Sequence, residues 1–346
     1  MATIREVAAV AGVSRSTVSL VLNDSPLVKA ETREHVLSVI KEMKYVPNNN
    51  ARSLSNKIMN SLGVIILSEQ GDDEPDGFKR ETGLYSSGIL NGISDGLADT
   101  DYSVVIERYN VKKSGGELPK LIRTRRVDGA FVIGSLYDRE FIDKMKQSGI
   151  PFCVVGVGLP ETEYDVVWAS PEEGVFLSVK HLMEEGHQNL CLVNCPETFI
   201  SHEDRVRGIR EAEKKLGLRF DWNMAVSTES NTGEGGYQAI RKIWESGYRP
   251  DGIVTANAHI ALGIMRYFHE HNVRVPQDVS IVAYEDNALC DYAYPALTAI
   301  NIQKKLCGIK AAEVMLERLE CIGKPYSVVK VEPYLIKRNS VKTRND

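Results

Sequence analysis

Residues 11–25 read AGVSRSTVSLVLNDS. Gly12 marks a turn, and Ser14 or Arg15 then starts a helix with Val18, Val21 and Leu22 on its apolar face. The turn residues Asn23-Asp24-Ser25-Pro26 end it. Upstream, in TIREVAAVAG, Thr3 and Glu6 have capping-box spacing, Ile4, Val7, Ala8 and Ala11 make a helical stripe, and Gly12 stops the helix. Downstream, a third helix runs from Ala30 to about Met43, with Val36, Leu37, Ile40 and Met43 at helical spacing. Two short helices across a glycine turn, braced by a third, make a helix-turn-helix.

The second helix carries four hydroxyls, Ser14, Ser16, Thr17 and Ser19, beside Arg15. Ser14 stands at the helix start, where free N–H groups favour an anion, and Thr17 and Ser19 lie at the margin of the apolar stripe or away from it. They suit phosphate oxygens on either side of a groove. Arg15 and Ser16, in the first turn, then point at base edges, and an arginine donates two hydrogen bonds to guanine O6 and N7. The plainer alternative is a helix cap beside a solvated arginine. The following stretch, KYVPNNNARSLSNKIMNSLGVIIL from Lys44 to Leu67, weighs against it. Asn48 to Lys57 has the length of a helix that is marginal alone in water, and Leu54 is its main large apolar side chain. Such a segment suits a helix completed by contact with a partner better than it suits a tether.

Beyond Leu62 the pattern alternates strands and helices. Strands are predicted at Leu62–Leu67, Ser103–Glu107, Gly129–Ile133, Phe152–Val155, Leu190–Val193, Ile253–Ala256 and Ser280–Tyr284, with helical stretches such as Gly88–Ala98 and Glu172–Glu185 between them. RVDGAFVIG at 126–134 echoes RPDGIVTAN at 249–257, and GIPFCVVG at 149–156 echoes VPQDVSIVAY at 275–284. This predicts an α/β body of two doubly wound lobes, with ligands bound beyond the carboxyl ends of the strands. The charge is divided to match. Residues 1–60 hold eight Lys and Arg against five Asp and Glu, a net of +3, which leaves −8 on the remainder of a 346-residue chain whose total is −5. A basic head on an acidic body suits a module for a polyanion joined to one that avoids it.

Several classes are disfavoured. The sequence has no run of about 18 apolar residues, and Glu6 stands where an export signal would need cations, so a cytoplasmic protein without a membrane span is expected. The six cysteines, Cys153, Cys191, Cys195, Cys290, Cys307 and Cys321, lie in apolar runs without a ligand cluster and read as buried free thiols. A dehydrogenase would need GxGxxG between strand and helix, and GVG at 156–158 and GEGG at 233–236 have neither the context nor the spacing. Of seven histidines, the HEH at 269–271 reads as helix surface, and His181 and His187 read as braces at a helix end. No catalytic constellation, cofactor or metal site is expected. A secreted solute-binding protein would share the two lobes but would have no use for the head.

The chain resembles the LacI/GalR family of bacterial transcription regulators in TIREVAAVAGVSRSTVSLVLN, YVPNNNARSL, RVDGAFVIG, GIPFCVVG, HLMEEGHQNL, RVRG at 205–208, VPQDVSIVAYED and YPALTAI. The resemblance implies a homodimeric repressor of carbohydrate-utilisation genes on a pseudo-palindromic double-stranded DNA operator. It implies a helix-turn-helix head at 1–46, a hinge helix at 47–58 and a periplasmic-binding-protein-like effector body at 60–346. The body divides into an N-lobe of about 60–160 plus 292–321 and a C-lobe of about 162–290 plus 323–346. Thr3, Ser14, Arg15, Ser16, Thr17, Ser19, Leu20 and Asn23 then face DNA in the head, with Asn48, Ala51, Arg52 and the wedging Leu54 in the hinge. The effector, a sugar or sugar derivative, falls to Tyr85, Arg205, Asn231, Asn257 and Glu285, with Thr232 close by. Three residues depart from the family pattern: Leu20 where a basic residue is common, Ala258 where an acid often follows the asparagine, and Glu285 in place of aspartate.

Overall fold

A computed structural model describes residues 2–22, 25–45, 59–68, 76–111, 113–134, 137–156 and 163–344, with side chains in the helix that begins at Asp76 described from Gly83. The chain divides into two compact units, Met1–Asn60 and Ser61–Asp346.

The first unit contains α1 (Ile4–Val10), α2 (Arg15–Leu22) and α3 (Ala30–Glu42). Thr3 and Glu6 close the capping box at the start of α1. Gly12 then turns the chain at φ +64°, a conformation that a Cβ disfavours. The core between the helices is small: Val7, Ala8, Ala11, Val18, Val21, Val36 and Val39. In α3 the inward residues are Val36 and Val39, whereas Leu37, expected on the apolar face, is 46% exposed. The crossing of α1 and α2 over α3 decides which of two adjacent apolar positions turns inward, and helical spacing alone admits both.

The second unit contains two six-stranded sheets built to one plan. In chain order its elements are β1 (Ser61–Ser68), α4 (Asp76–Gly96), β2 (Ser103–Asn110), α5 (Lys120–Arg123), β3 (Gly129–Ile133), α6 (Arg139–Gln147), β4 (Phe152–Val155), β5 (Asp165–Ala169), α7 (Pro171–Glu184), β6 (Leu190–Asn194), α8 (Ser201–Leu216), β7 (Ala225–Ser227), α9 (Gly233–Glu245), β8 (Gly252–Thr255), α10 (Ala258–Glu270), β9 (Ser280–Tyr284), α11 (Ala288–Tyr292), β10 (Thr298–Asn301), α12 (Lys304–Glu320), β11 (Val328–Val331) and β12 (Tyr334–Ile336). The first sheet has the order β11-β5-β4-β3-β1-β2 and the second β12-β10-β9-β8-β6-β7. All described pairings are parallel except β10 with β12. The central strands are buried on both faces, which is why they read as unbroken apolar runs.

The internal echoes correspond to equivalent places in the two sheets, β3 with β8 and β4 with β9. Their shared Asp-Gly has the same task in each. Asp128 accepts a hydrogen bond from the Ser61 N–H ahead of β1's apolar run, and Asp251 accepts from the Gln188 and Asn189 N–H groups just before β6. Each carboxylate therefore ties the start of its strand to that of the neighbour.

The chain changes lobes at places other than those expected. Asp165–Ala169 belongs to the first sheet, Thr298–Asn301 to the second, and Val328–Val331 to the first. The crossings thus fall at Ser170, after Asn301 and after Val331. Each links elements without a long loop, and what assigns a short strand to a lobe is the sheet edge it pairs with, which no local pattern encodes. Five strands missing from the sequence reading, β5, β7, β10, β11 and β12, have three to five residues each. Five cysteines are buried and unpaired as expected, but Cys321 is exposed, because it follows the last turn of α12. Among the described residues no helix is long and apolar enough to cross a membrane, and no His, Cys, Asp and Glu cluster is arranged to hold a metal.

Candidate functional site

In the first unit the hydroxyls of α2 form a cluster. Ser14 Oγ accepts from the Thr17 N–H at 3.1 Å, which caps the helix, and it also meets Ser16 Oγ at 2.6 Å and Thr17 Oγ1 at 2.9 Å. Ser14, Arg15 and Ser16 are exposed, Thr17 and Ser19 are half-buried, and Leu20 is 37% exposed. Capping and exposure coexist here: one serine fixes the start of α2, and the arginine beside it projects from the first turn. Thr3 holds the start of α1. Asn23, Asn48, Ala51, Arg52 and Leu54 lie outside the described residues, as does the hinge segment.

In the second unit a cavity of about 150 Å³ opens where the carboxyl ends of strands from both sheets face one another. Ser68, Gly134, Gly156 and Ala169 contribute from the first lobe, Cys195, Ala256 and Tyr284 from the second. This is the position at which doubly wound sheets bind ligands. Tyr85, Arg205, Asn231, Asn257 and Glu285 all line it. Thr232 caps α9 through its side-chain oxygen instead.

Arg205 is brought there by RVRG, in which each conspicuous residue has a separate task. The residue is 7% exposed, and its guanidinium carbon lies 4.9 Å from the centre of the Tyr284 ring. Nη1 donates to Ser201 Oγ at 2.8 Å, Ser201 O at 3.0 Å and Cys195 Sγ at 3.3 Å, and Nη2 donates to Ala256 O at 3.2 Å. Nε is buried without an acceptor among the described residues. Arg207 points the other way and binds Asp204 and Glu172. Gly208 lets α8 approach α7: a Cβ there would stand 2.5 Å from the Glu172 carbonyl oxygen.

The asparagines are already engaged. Asn257 Oδ1 caps α10 by accepting from the Ile260 N–H at 2.8 Å, and its Nδ2 donates to Asn231 Oδ1 at 2.7 Å. Asn257 therefore fixes the helix start and the loop that carries Asn231. Glu285 takes a left-handed conformation at φ +72°, and its Oε1 accepts from Lys304 Nζ at 3.1 Å. Lys304 also donates to the Asp286 carbonyl at 3.0 Å. The pair joins the end of β9 in one lobe to the start of α12 in the other. One carboxylate oxygen expected to be open to a ligand is thus satisfied by the protein.

Sequence reasoning missed Lys304, His259, Trp168 and Phe199, all in the cavity wall. Lys304 begins a lysine pair at a helix start and looks like surface. Burial pushes the His259 imidazole down to about 4, with Lys304 adding to the effect, so the ring is neutral at pH 7. Burial also raises the Tyr85 phenol well above its ordinary range and the Cys195 thiol above its own, the latter opposed by Arg205. Both stay protonated.

Comparison with known proteins matches both units. The profile of "Bacterial regulatory proteins, lacI family" covers residues 3–48, and that of a "Periplasmic binding protein-like domain" covers 179–341. The chain is 30% identical over 349 aligned positions to the HTH-type transcriptional repressor PurR of Pasteurella multocida, covering 99% of this chain and 100% of the relative. It is 31% identical over 351 positions to that of Haemophilus influenzae, covering 99% of each. A lac repressor dimer solved with operator and the anti-inducer ONPF is 26% identical with a TM-score of 0.80, covering 99% of each chain. The regulator CelR in complex with cellobiose is 25% identical with a TM-score of 0.72, covering 98% of this chain and 100% of that one.

Proposed function

Because the chain belongs to the LacI family and is a DNA-binding transcriptional repressor rather than an enzyme, we propose that it acts as a homodimer on a pseudo-palindromic operator, under the control of a small molecule bound between the lobes of its body. The observation that carries this reading is the union, in one chain, of a helix-turn-helix exposing Arg15 and Ser16 with a body whose strand ends enclose a cavity lined by buried Arg205. In the head, Ser14, Thr17 and Ser19 hold phosphates and Arg15 and Ser16 read bases, with Leu20 placed for contact with a thymine methyl. Thr3 and Asn23 contribute at the edges, and Asn48, Ala51, Arg52 and Leu54 enter the minor groove at the operator centre. One head of this size buries too little surface for specific binding, so two half-sites about one helical turn apart are expected.

For the ligand, the cavity supports a polar compound of sugar size, regulating carbohydrate use. Arg205 and the free oxygen of Glu285 flank it, and Trp168 and Phe199 supply flat apolar surface. A purine base is the second reading, favoured by the relatives named PurR and by the same aromatic walls. Footprinting on selected fragments, with sugars and nucleobases titrated in, tests the whole. Protection of two symmetric half-sites that one compound class strengthens or weakens is expected. A monomer on one asymmetric site, insensitive to every compound, defeats the proposal.

A further inference from the structure

The charge of the cavity narrows the ligand. We infer that the compound bound between the lobes carries an oxyanion, a carboxylate or a phosphate, which Arg205 receives; this rests on reading the cleft as the effector site. Among the described residues the wall contains two cations, Arg205 and Lys304, and one carboxylate, Glu285. Glu285 and Lys304 are only 15% and 13% exposed and neutralise one another across the lobes. Asp204, the next acid along α8, is held by Arg207. His259 is neutral. Among the described residues Arg205 is left with hydrogen-bond partners that carry no charge: a thiol, a hydroxyl and two backbone carbonyls.

Arg205, 7% exposed and with Nε lacking any acceptor among the described residues, has surrendered hydration without a carboxylate in hydrogen-bond contact there, Glu285 acting on it only at longer range. The surrounding backbone adds to the same potential. Pro171, Ser201 and Lys304 open α7, α8 and α12, Asn257 caps α10, and all four residues line the cavity. Several helix N-termini therefore turn the positive ends of their dipoles toward one small space. A neutral sugar could use the hydrogen bonds but would leave this field unanswered. An oxyanion answers both, and a bidentate approach to the guanidinium supplies Nε with its acceptor.

The test is isothermal titration calorimetry on the full-length protein with ring-matched probes: glucose, glucuronate and glucose 6-phosphate, then ribose and ribose 5-phosphate, with hypoxanthine as a neutral planar base. At least one acid is expected to bind about tenfold or more tighter than its neutral counterpart, as a charge-assisted bond to a buried arginine should provide. Gain by glucuronate identifies a carboxylate, and gain by the phosphates alone identifies a phosphate. The gain should vanish in Arg205→Gln; if that variant does not fold, the matched pairs on the unaltered protein decide. Neutral sugars or hypoxanthine binding as tightly as the acids, or silence across the panel, overturns the charge assignment. Trp168→Ala, in the other lobe, separates the two readings. If a bound probe keeps its affinity in both Arg205→Gln and Trp168→Ala, it sits elsewhere and the cleft reading falls too. If the neutral probes bind tightly and Trp168→Ala weakens them, only the charge is wrong.

Discussion

Replacing Lys304 by methionine keeps the length of the side chain and removes its charge, leaving the Glu285 carboxylate in the cavity wall with one fewer donor. Removing one partner of a buried pair costs about 3–5 kcal/mol, because the surviving charge stays desolvated. Residual exposure of 15% at Glu285 and the smaller attraction of Arg205 place the expected loss near the lower limit, about 3 kcal/mol at pH 7.5. The pH dependence has a definite sign. Burial raises the Glu285 carboxyl above its ordinary value while Lys304, and less strongly Arg205, pull it down. Without Lys304 it rises further. A carboxyl whose folded pKa exceeds its unfolded value stabilises the fold while protonated and loses that contribution as pH rises through the folded pKa. The deficit of Lys304→Met should therefore be greatest at pH 8 and shrink steadily toward pH 5.5. In the double variant Glu285→Gln/Lys304→Met it should fall to about 1 kcal/mol or less, since no lone charge remains. Urea unfolding followed by tryptophan fluorescence reads the body alone, because Trp168, Trp222 and Trp244 all lie in Ser61–Asp346. A deficit that does not change with pH, or a double variant as unstable as the single one, would refute the reasoning.

Arg15→Ala should cost about 1–3 kcal/mol of operator affinity and relax preference at one base pair in a site-selection experiment, whereas Ser14→Ala should weaken all sequences alike; an unchanged selected motif removes Arg15 from the base readers. Ser14→Ala should also lower the stability of the head by about 1 kcal/mol through loss of its bond to the Thr17 N–H, measurable by circular dichroism on residues 1–60. Gly208→Ala should destabilise the body by about 1–3 kcal/mol, because its methyl would stand 2.5 Å from the Glu172 carbonyl oxygen, and an unaltered urea midpoint would show that α7 and α8 part freely. Leu54→Ala should reduce DNA bending, since alanine is too small to fill an opened base step; equal bend angles and affinities would make the segment a tether.

Local order determined the head from sequence alone. The apolar spacing of Val7, Ala8, Val18, Val21 and Val36, the Thr3/Glu6 box and the turn at Gly12 are relations among near neighbours, and such relations survive in a bare string of residues. The same holds for the central strands, whose burial on both faces leaves unbroken apolar runs, and for the repeated Asp-Gly that foretold two sheets of one plan. RVRG and the strand ends also brought the chosen cavity residues to light, through family resemblance. Only tertiary structure decided their states. Lys304 meets Glu285 across 19 positions, and Asn257 is spent on Asn231 across 26. The lobe to which a four-residue strand belongs follows from the sheet edge available to it. Pairings between distant segments depend on how two sheets stack and cross, and charge in the cavity is the sum of those pairings, so the polarity of the site emerges only when the fold closes around it.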